Sequence, residues 1–260
     1  MDTLVAVNRL CKTYGQGALA TPVLREVSAS FARGAFTAIV GPSGCGKTTL
    51  LSVLGALEKG DSGSVVVDGL DLLSASPREL TEYRRRSVGF VFQFYNLLPT
   101  LTAVENVESG LEFLGLSSRA RRARAMDWLA RVGMVDLAHR FPAQLSGGQQ
   151  QRVAVARVLA REPKLILADE PTGNLDEESG ALVFACIREL QRENGLTCIM
   201  VTHDHELAAR ADDVLRLRDG RVALPSPEAL EADEILTVRR RESGIAVRRA
   251  LGLRAAGNWR

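Results

Sequence analysis

Thr37-Ala38-Ile39-Val40-Gly41-Pro42-Ser43-Gly44-Cys45-Gly46-Lys47-Thr48-Thr49-Leu50-Leu51 is the stretch that decides the architecture. Its first four residues have the character of a buried strand, and the run stops at Gly41. After a glycine-rich turn, Leu50, Leu51, Val53, Leu54 and Leu57 recur at helical spacing. Gly41 to Thr48 fits G-x-x-x-x-G-K-[ST] between a strand and a helix, the context that pattern requires. Gly41, Gly44 and Gly46 let backbone N–H groups converge on phosphate oxygens, and the following helix adds the positive end of its dipole. Pro42, Ser43 and Cys45 complete the cradle, Cys45 through its N–H rather than its sulfur. Lys47 is expected to reach the β- and γ-phosphates of a nucleotide, Thr48 to place its hydroxyl on Mg²⁺, and Thr49 to contact the α-phosphate. The competing assignment is a glycine turn with a solvated lysine.

Further along, Leu165-Ile166-Leu167-Ala168-Asp169-Glu170 sets two adjacent acids at the end of a buried strand, where an unpaired charge is very costly. Strand ends in an α/β sheet form a crevice, so Asp169 is expected to hold the Mg²⁺ beside Thr48 while Glu170 faces an attacking water. Two acids capping the next helix are the alternative, since Pro171 and Thr172 mark a turn. Leu145-Ser146-Gly147-Gly148-Gln149 precedes a helix whose Val153, Ala156 and Leu159 line one face, and it too puts backbone amides at a helix start. With one nucleotide loop already present, this second anion-binding helix start points to a nucleotide held by another copy of the chain.

The 260 residues fit one ordinary domain and a remainder, or two small domains. Hydrophobic residues at 46% and charged ones at 25% exclude a disordered or low-complexity chain. A formal charge of +2 gives no warrant for a nucleic-acid partner. No apolar run approaches the roughly 20 residues of a membrane-spanning helix, and the first residues lack a signal-peptide pattern, so a cytoplasmic location is expected. Cys11, Cys45, Cys186 and Cys198 show no metal spacing and read as reduced core residues. Ser64 to Asp68, Val88 to Phe92, Leu165 to Ala168 and Cys198 to Thr202 read as strands. Residues from Leu97 to Arg161 read as helical, with Met126, Leu129 and Val132 on one face, and Asp219-Gly220 marks a hairpin. The alternation predicts a doubly wound α/β core with a helical insertion. After Pro225 the composition changes, and 239–260 holds seven arginines and one acid.

With these residues in place the chain resembles the ATP-binding-cassette (ABC) ATPases, and Leu145 to Gln149 is similar to their signature motif. The resemblance spans about Leu4 to Ala223. It implies a P-loop NTPase core with a RecA-like sheet, an antiparallel β subdomain and a helical signature subdomain over about 95–161. The ATPase domain would cover 1–224 and an arginine-rich extension 225–260. It further implies that Tyr14 stacks on adenine, although a strand-edge tyrosine is the alternative. Gln93 would reach Mg²⁺ and water and sense a membrane partner, Asp176 would cross a dimer interface, and His203 would contact the γ-phosphate. Ser146, Gly147, Gly148 and Gln149 would serve the partner's ATP in a head-to-tail homodimer.

Within that family, Phe92 to Thr102 with Glu105-Asn106-Val107, Pro171 to Asp176 and Gln144 to Arg152 resemble the branch of lipoprotein-releasing, macrolide-exporting, antimicrobial-peptide-resistance and cell-division ATPases. The branch implies a separate permease with an extracytoplasmic domain and a peripheral place on the cytoplasmic face of the inner membrane. Glu170, His203, Lys47 and Gln93 are the implied catalytic set, ATP and Mg²⁺ the implied ligands, and nucleic acid is not expected as a partner. A soluble cassette ATPase acting on DNA or ribosomes is the rival reading. The extension is either a solvated tail or a polybasic segment for an anionic membrane surface.

Overall fold

The computed structural model describes residues 2–223. The chain begins with two long strands, β1 (Thr3–Tyr14) and β2 (Thr21–Ala32), followed by β3 (Phe36–Val40), α1 (Lys47–Leu54), β4 (Ser62–Val67) and β5 (Leu70–Asp71). Next come α2 (Pro77–Arg86), β6 (Val88–Phe92), α3 (Ala103–Gly110), α4 (Ser118–Arg131) and α5 (Gly147–Leu159). The chain continues through β7 (Leu165–Asp169), α6 (Glu177–Glu193), β8 (Thr197–Val201), α7 (His205–Ala209), β9 (Asp213–Arg218) and β10 (Arg221–Val222). Among the described residues two compact units form, one from 2–90, 163–170 and 191–223, the other from 91–162 and 171–190.

In the first unit, β3 lies in a sheet of order β10-β9-β3-β8-β7-β6, parallel to β8 and β9, with β7 parallel to β8. Every residue of β3 and β8 is buried, which is why both read as unbroken apolar runs. A second sheet of order β2-β1-β4-β5 is antiparallel. Leu10, Leu24, Val27 and Phe31 from that sheet share one core with Leu50, Leu54, Leu165, Ile199 and Val201.

Two sequence expectations shift here. The helix after the glycine loop ends at Leu54 instead of running on to Leu57. Gly55 stands at its C-cap, Ala56 turns left-handed at φ 52°, and Leu57 is 51% exposed. The strand expected from Ser64 begins at Ser62 and ends at Val67, because Asp68 and Gly69 at φ 49° and 85° make the turn to β5. The expected Asp219-Gly220 hairpin joins β9 to β10.

In the second unit α3, α4 and α5 bury Val104, Val107, Ala125, Leu129, Val153 and Ala156. The N-termini of α3 and α5 carry capping boxes, Thr102 with Glu105 and Ser146 with Gln149, and each box satisfies backbone donors that a helix start leaves open. Helix α5 departs from the expected single apolar face: Gln151, Val153, Ala154, Val155, Ala156, Val158 and Leu159 are all buried. A helix with apolar residues on most sides is a buried one. Cys45, Cys186 and Cys198 are buried and Cys11 is half-buried. Among the described residues no helix is long and apolar enough to cross a membrane. The arginine-rich extension lies outside the described residues.

Candidate functional site

In the first unit the loop between β3 and α1 is built by close approach. A Cβ on Gly41 would stand 2.0 Å from the Leu217 carbonyl oxygen, so no larger residue fits there. Gly46, the N-cap of α1, sits at φ 103°, a conformation that L side chains rarely adopt, with the Val23 carbonyl 2.9 Å from the place a Cβ would take. Lys47 is 7% exposed, and its Nζ donates to the carbonyls of Gly41 at 2.8 Å and Pro42 at 2.9 Å. The ammonium is thereby folded over its own loop.

The C-terminal ends of β3, β8 and β7, neighbours in the sheet, bring the other expected residues of this unit together. The Thr48 hydroxyl donates to Asp169 Oδ1 at 3.2 Å, across 121 residues of chain. Burial pushes the Asp169 carboxyl above the ordinary carboxylate range; Glu170 pushes the same way, while the Thr48 hydrogen bond and Lys47 oppose it. Glu170 is left-handed at φ 43°, its N–H donates to the Val201 carbonyl at 3.0 Å, and its Oε2 lies 3.2 Å from His203 Nδ1. A left-handed non-glycine residue costs on the order of 1–3 kcal/mol and persists where its surroundings over-determine it. The pairing of Glu170 with His203 is a contact that the sequence alone does not give, since it depends on parallel pairing of β7 with β8.

A half-buried carboxylate disfavoured by desolvation, beside a threonine hydroxyl, is a hard-oxygen pair suited to a divalent cation that also takes oxygens from a bound phosphate. Among the described residues no cluster of three or more His, Cys, Asp or Glu could hold a metal alone. Mg²⁺ shared with substrate phosphates needs no such cluster.

Tyr14 ends β1 and is 39% exposed. Its hydroxyl bonds the Glu58 carboxylate, and Lys12 Nζ stands 5.3 Å from the ring centroid. Burial first, and then the bond to Glu58, raises the phenol pKa, while the Thr49 side chain opposes them. No sequence signal pointed to Glu58, because it meets Tyr14 across 44 positions of chain.

In the second unit, Ser146 is exposed at the start of α5. Its N–H donates to Gln149 Oε1 at 2.9 Å, and its Oγ accepts from the Gln149 N–H at 3.3 Å. Packing favours glycine at 147, since a Cβ would stand 2.7 Å from Tyr95 Oη and 3.0 Å from Leu175 Cδ2. Gln93 forms a reciprocal pair with Asn174: Gln93 Nε2 donates to Asn174 Oδ1 at 3.1 Å, and Asn174 Nδ2 donates to the Gln93 carbonyl at 3.2 Å. Asp176 Oδ1 accepts from the Ser179 N–H at 2.9 Å just before α6, and that bond holds its carboxyl below the ordinary range. Gln151, Asn174 and Arg157 grip the Gln93 segment; sequence reading gave none of them a role.

The ABC transporter family pattern matches residues 24–173. The lipoprotein-releasing system ATP-binding protein LolD of Shewanella frigidimarina is 45% identical over 232 residues, 88% of this chain and 97% of that protein. An uncharacterized ABC transporter ATP-binding protein of Bacillus subtilis, YvrO, is 43% identical over 221 residues, 85% of this chain and 96% of its own. Among solved structures, the dimeric post-hydrolysis state of the ATP-binding cassette MJ0796 bound to ADP and Pi superposes with a TM-score of 0.78 at 41% identity, covering 85% of this chain and 97% of that one. Phosphate loop, paired acids and glycine-started helix define an NTPase of the P-loop class. The chain belongs to the ABC transporter family, as one of its ATP-binding and ATP-hydrolysing subunits.

Proposed function

We propose that the chain works as a head-to-tail homodimer around two ATP molecules, on the cytoplasmic face of the membrane, and drives a separate permease that has an extracytoplasmic domain. The observation that carries this reading is the gathering of Lys47, Thr48, Asp169, Glu170 and His203 at adjacent strand ends, together with an exposed Ser146 at the start of another helix. The relatives named as transporter ATP-binding proteins favour it over a soluble factor acting on nucleic acid or ribosomes.

In this reading the loop 41–46 and Lys47 bind the phosphates, Thr49 orients the α-phosphate, and Tyr14, anchored by Glu58, stacks on the base. Thr48, Asp169 and Gln93 would hold Mg²⁺, which supplies charge neutralisation on the transferred phosphoryl group. Glu170 accepts the proton of the attacking water, and His203, oriented by Glu170, donates a hydrogen bond to the γ-phosphate. Ser146, Gly147 and Gly148 present amides to the other copy's nucleotide, Gln149 holds Ser146 in its cap, and Asp176 lies at the dimer interface. Phe94 and Leu98, 70% and 47% exposed beside Gln93, offer apolar surface for the permease.

Because burial disfavours the ionised Asp169, Asp169→Asn is expected to leave the melting temperature of the ligand-free protein unchanged or raised while reducing Mg²⁺-dependent ATP hydrolysis by about 10²-fold or more. Thermal melts and steady-state kinetics on the same preparation check both halves; a lowered Tm with retained turnover contradicts the assignment.

The division into an ATPase domain, 1–224, and an extension, 225–260, leads to a second expectation. The chain truncated after Ala223 should hydrolyse ATP at the full-length rate, while the full chain sediments with anionic liposomes more strongly than the truncated one, in a salt-dependent way. Equal sedimentation at low salt makes the extension a solvated tail. Affinity isolation of the full chain from membranes should recover an integral membrane protein, and recovery of ribosomes or DNA in its place overturns the permease reading.

A further inference from the structure

The segment that carries Gln93 is held in an unusual backbone conformation. Tyr95 and Asn96, the second and third residues after Gln93, both lie in the left-handed region, at φ 30° and 49°. Consecutive non-glycine residues in that region do not hold themselves there, and something outside the segment must fix them. Both carbonyls of the turn are taken by one side chain. Arg157 Nη1 donates to the Asn96 carbonyl at 2.6 Å, and Nη2 donates to the Tyr95 carbonyl at 3.1 Å. A planar fork with two donors on one rigid group matches two successive carbonyls, and a lysine has no equivalent geometry.

Three further observations surround this contact. Arg157 is half-buried, and loss of water lowers its guanidinium pKa while strengthening its hydrogen bonds. Gly110, at the end of α3, makes room for it: a Cβ there would stand 2.8 Å from the Arg157 carbonyl oxygen and 2.9 Å from its Cγ. On the same helix, Gln151 is fully buried and its Nε2 donates to the carbonyls of Phe92 at 3.1 Å and Pro171 at 2.6 Å. Those are the residues immediately before Gln93 and immediately after Glu170. Helix α5 thus grips the Gln93 segment on both sides, and its own first turn carries Gly147 against the Tyr95 hydroxyl.

We propose that Arg157 is a positioning residue for the hydrolytic reaction: it fixes the left-handed Tyr95–Asn96 turn and so holds Gln93 in register with the helix that begins at the signature residues. The inference rests on the role given to Gln93 in the proposed function. Arg157 acts through the backbone carbonyls of Tyr95 and Asn96. Its loss frees the turn to relax to ordinary dihedrals, which moves Gln93. A misplacement of about 1 Å near the chemistry is enough to lower a rate by up to 10²-fold.

The test uses the full chain, with kcat, KM for ATP and equilibrium nucleotide affinity measured together. Arg157→Gln is expected to lower kcat about tenfold or more with nucleotide affinity unchanged, because the phosphate loop is built elsewhere. Arg157→Lys should recover little, since one ammonium cannot serve both carbonyls. The decisive arm is rescue: Asn96→Gly, near-neutral alone, removes the left-handed penalty at position 96, leaves that of Tyr95, and should restore several-fold of the lost kcat when combined with Arg157→Gln or Arg157→Lys. A purely structural role predicts instead a fall in Tm that Asn96→Gly does not reverse, and that result overturns the proposal; so does parental kcat in Arg157→Gln. If the Gln variant does not fold, the Lys variant carries the same comparison. Gln93→Ala runs alongside: parental kcat there removes the role of Gln93 and the proposal with it, whereas a lowered kcat beside an unaffected Arg157→Gln removes the proposal alone.

Discussion

Glu170→Gln is expected to lower kcat by about 10²–10⁴-fold, the range that a positioned general base contributes. The amide keeps the shape of the side chain and can still bond His203, 3.2 Å from the carboxylate in the parent, so the local fold should survive. It cannot accept a proton from water. ATP binding depends on the 41–46 loop and on Lys47, which this change does not touch, so nucleotide affinity should stay at the parental level. With hydrolysis blocked and ATP bound, the closed dimer has no route to opening. A dimer peak that accumulates on gel filtration with ATP, and not with ADP, is the second expected result. Turnover at the parental rate would remove Glu170 from the role of base.

Lys47→Ala and Ser146→Glu are each expected to lose about 10²-fold or more of ATPase activity, the scale of removing one preorganised donor from developing negative charge. Lys47→Ala removes an ammonium that two loop carbonyls hold in place. Ser146→Glu suits a helix N-terminus, so the exposed site tolerates it, but it sets a carboxylate against the nucleotide of the other copy. Mixing the two variants then tests the geometry. In a head-to-tail heterodimer both lesions fall in one composite site and the other site carries neither, so activity should return to about a quarter of the parental value under random pairing. This recovery requires that one intact site turn over alone, which the Glu170→Gln chain mixed with parent measures separately. Absence of recovery, with crosslinking that joins Ser146 to Lys47 within one chain, contradicts the arrangement.

What could be read before the structure was what is local in the chain. Gly41 to Thr48 is legible because strand, turn and helix follow each other within fifteen residues and the glycines mark the turn themselves. The long strands β1 and β2 were visible only through family resemblance. Their register shifts near Val7, Leu10 and Lys12, and the left-handed Arg9 and Glu26, break the alternation by which a half-buried strand is recognised. The spacing of Leu57 fits a helix that in fact ends at Leu54, because the left-handed Ala56 that follows it has no compositional mark.

The sequence by itself therefore determined the α/β class, the phosphate loop, the two acids at a strand end and the glycine-started helix. Each of these is specified by backbone conformations and polarities that neighbouring residues impose. Only the tertiary structure decided which side chains meet: Thr48 with Asp169, Glu170 with His203, Gln93 with Asn174, and Arg157 with the Tyr95–Asn96 turn. Those contacts join residues 121, 33, 81 and 61 positions apart. Sheet order and helix packing bring them together, and no local propensity encodes such a distance.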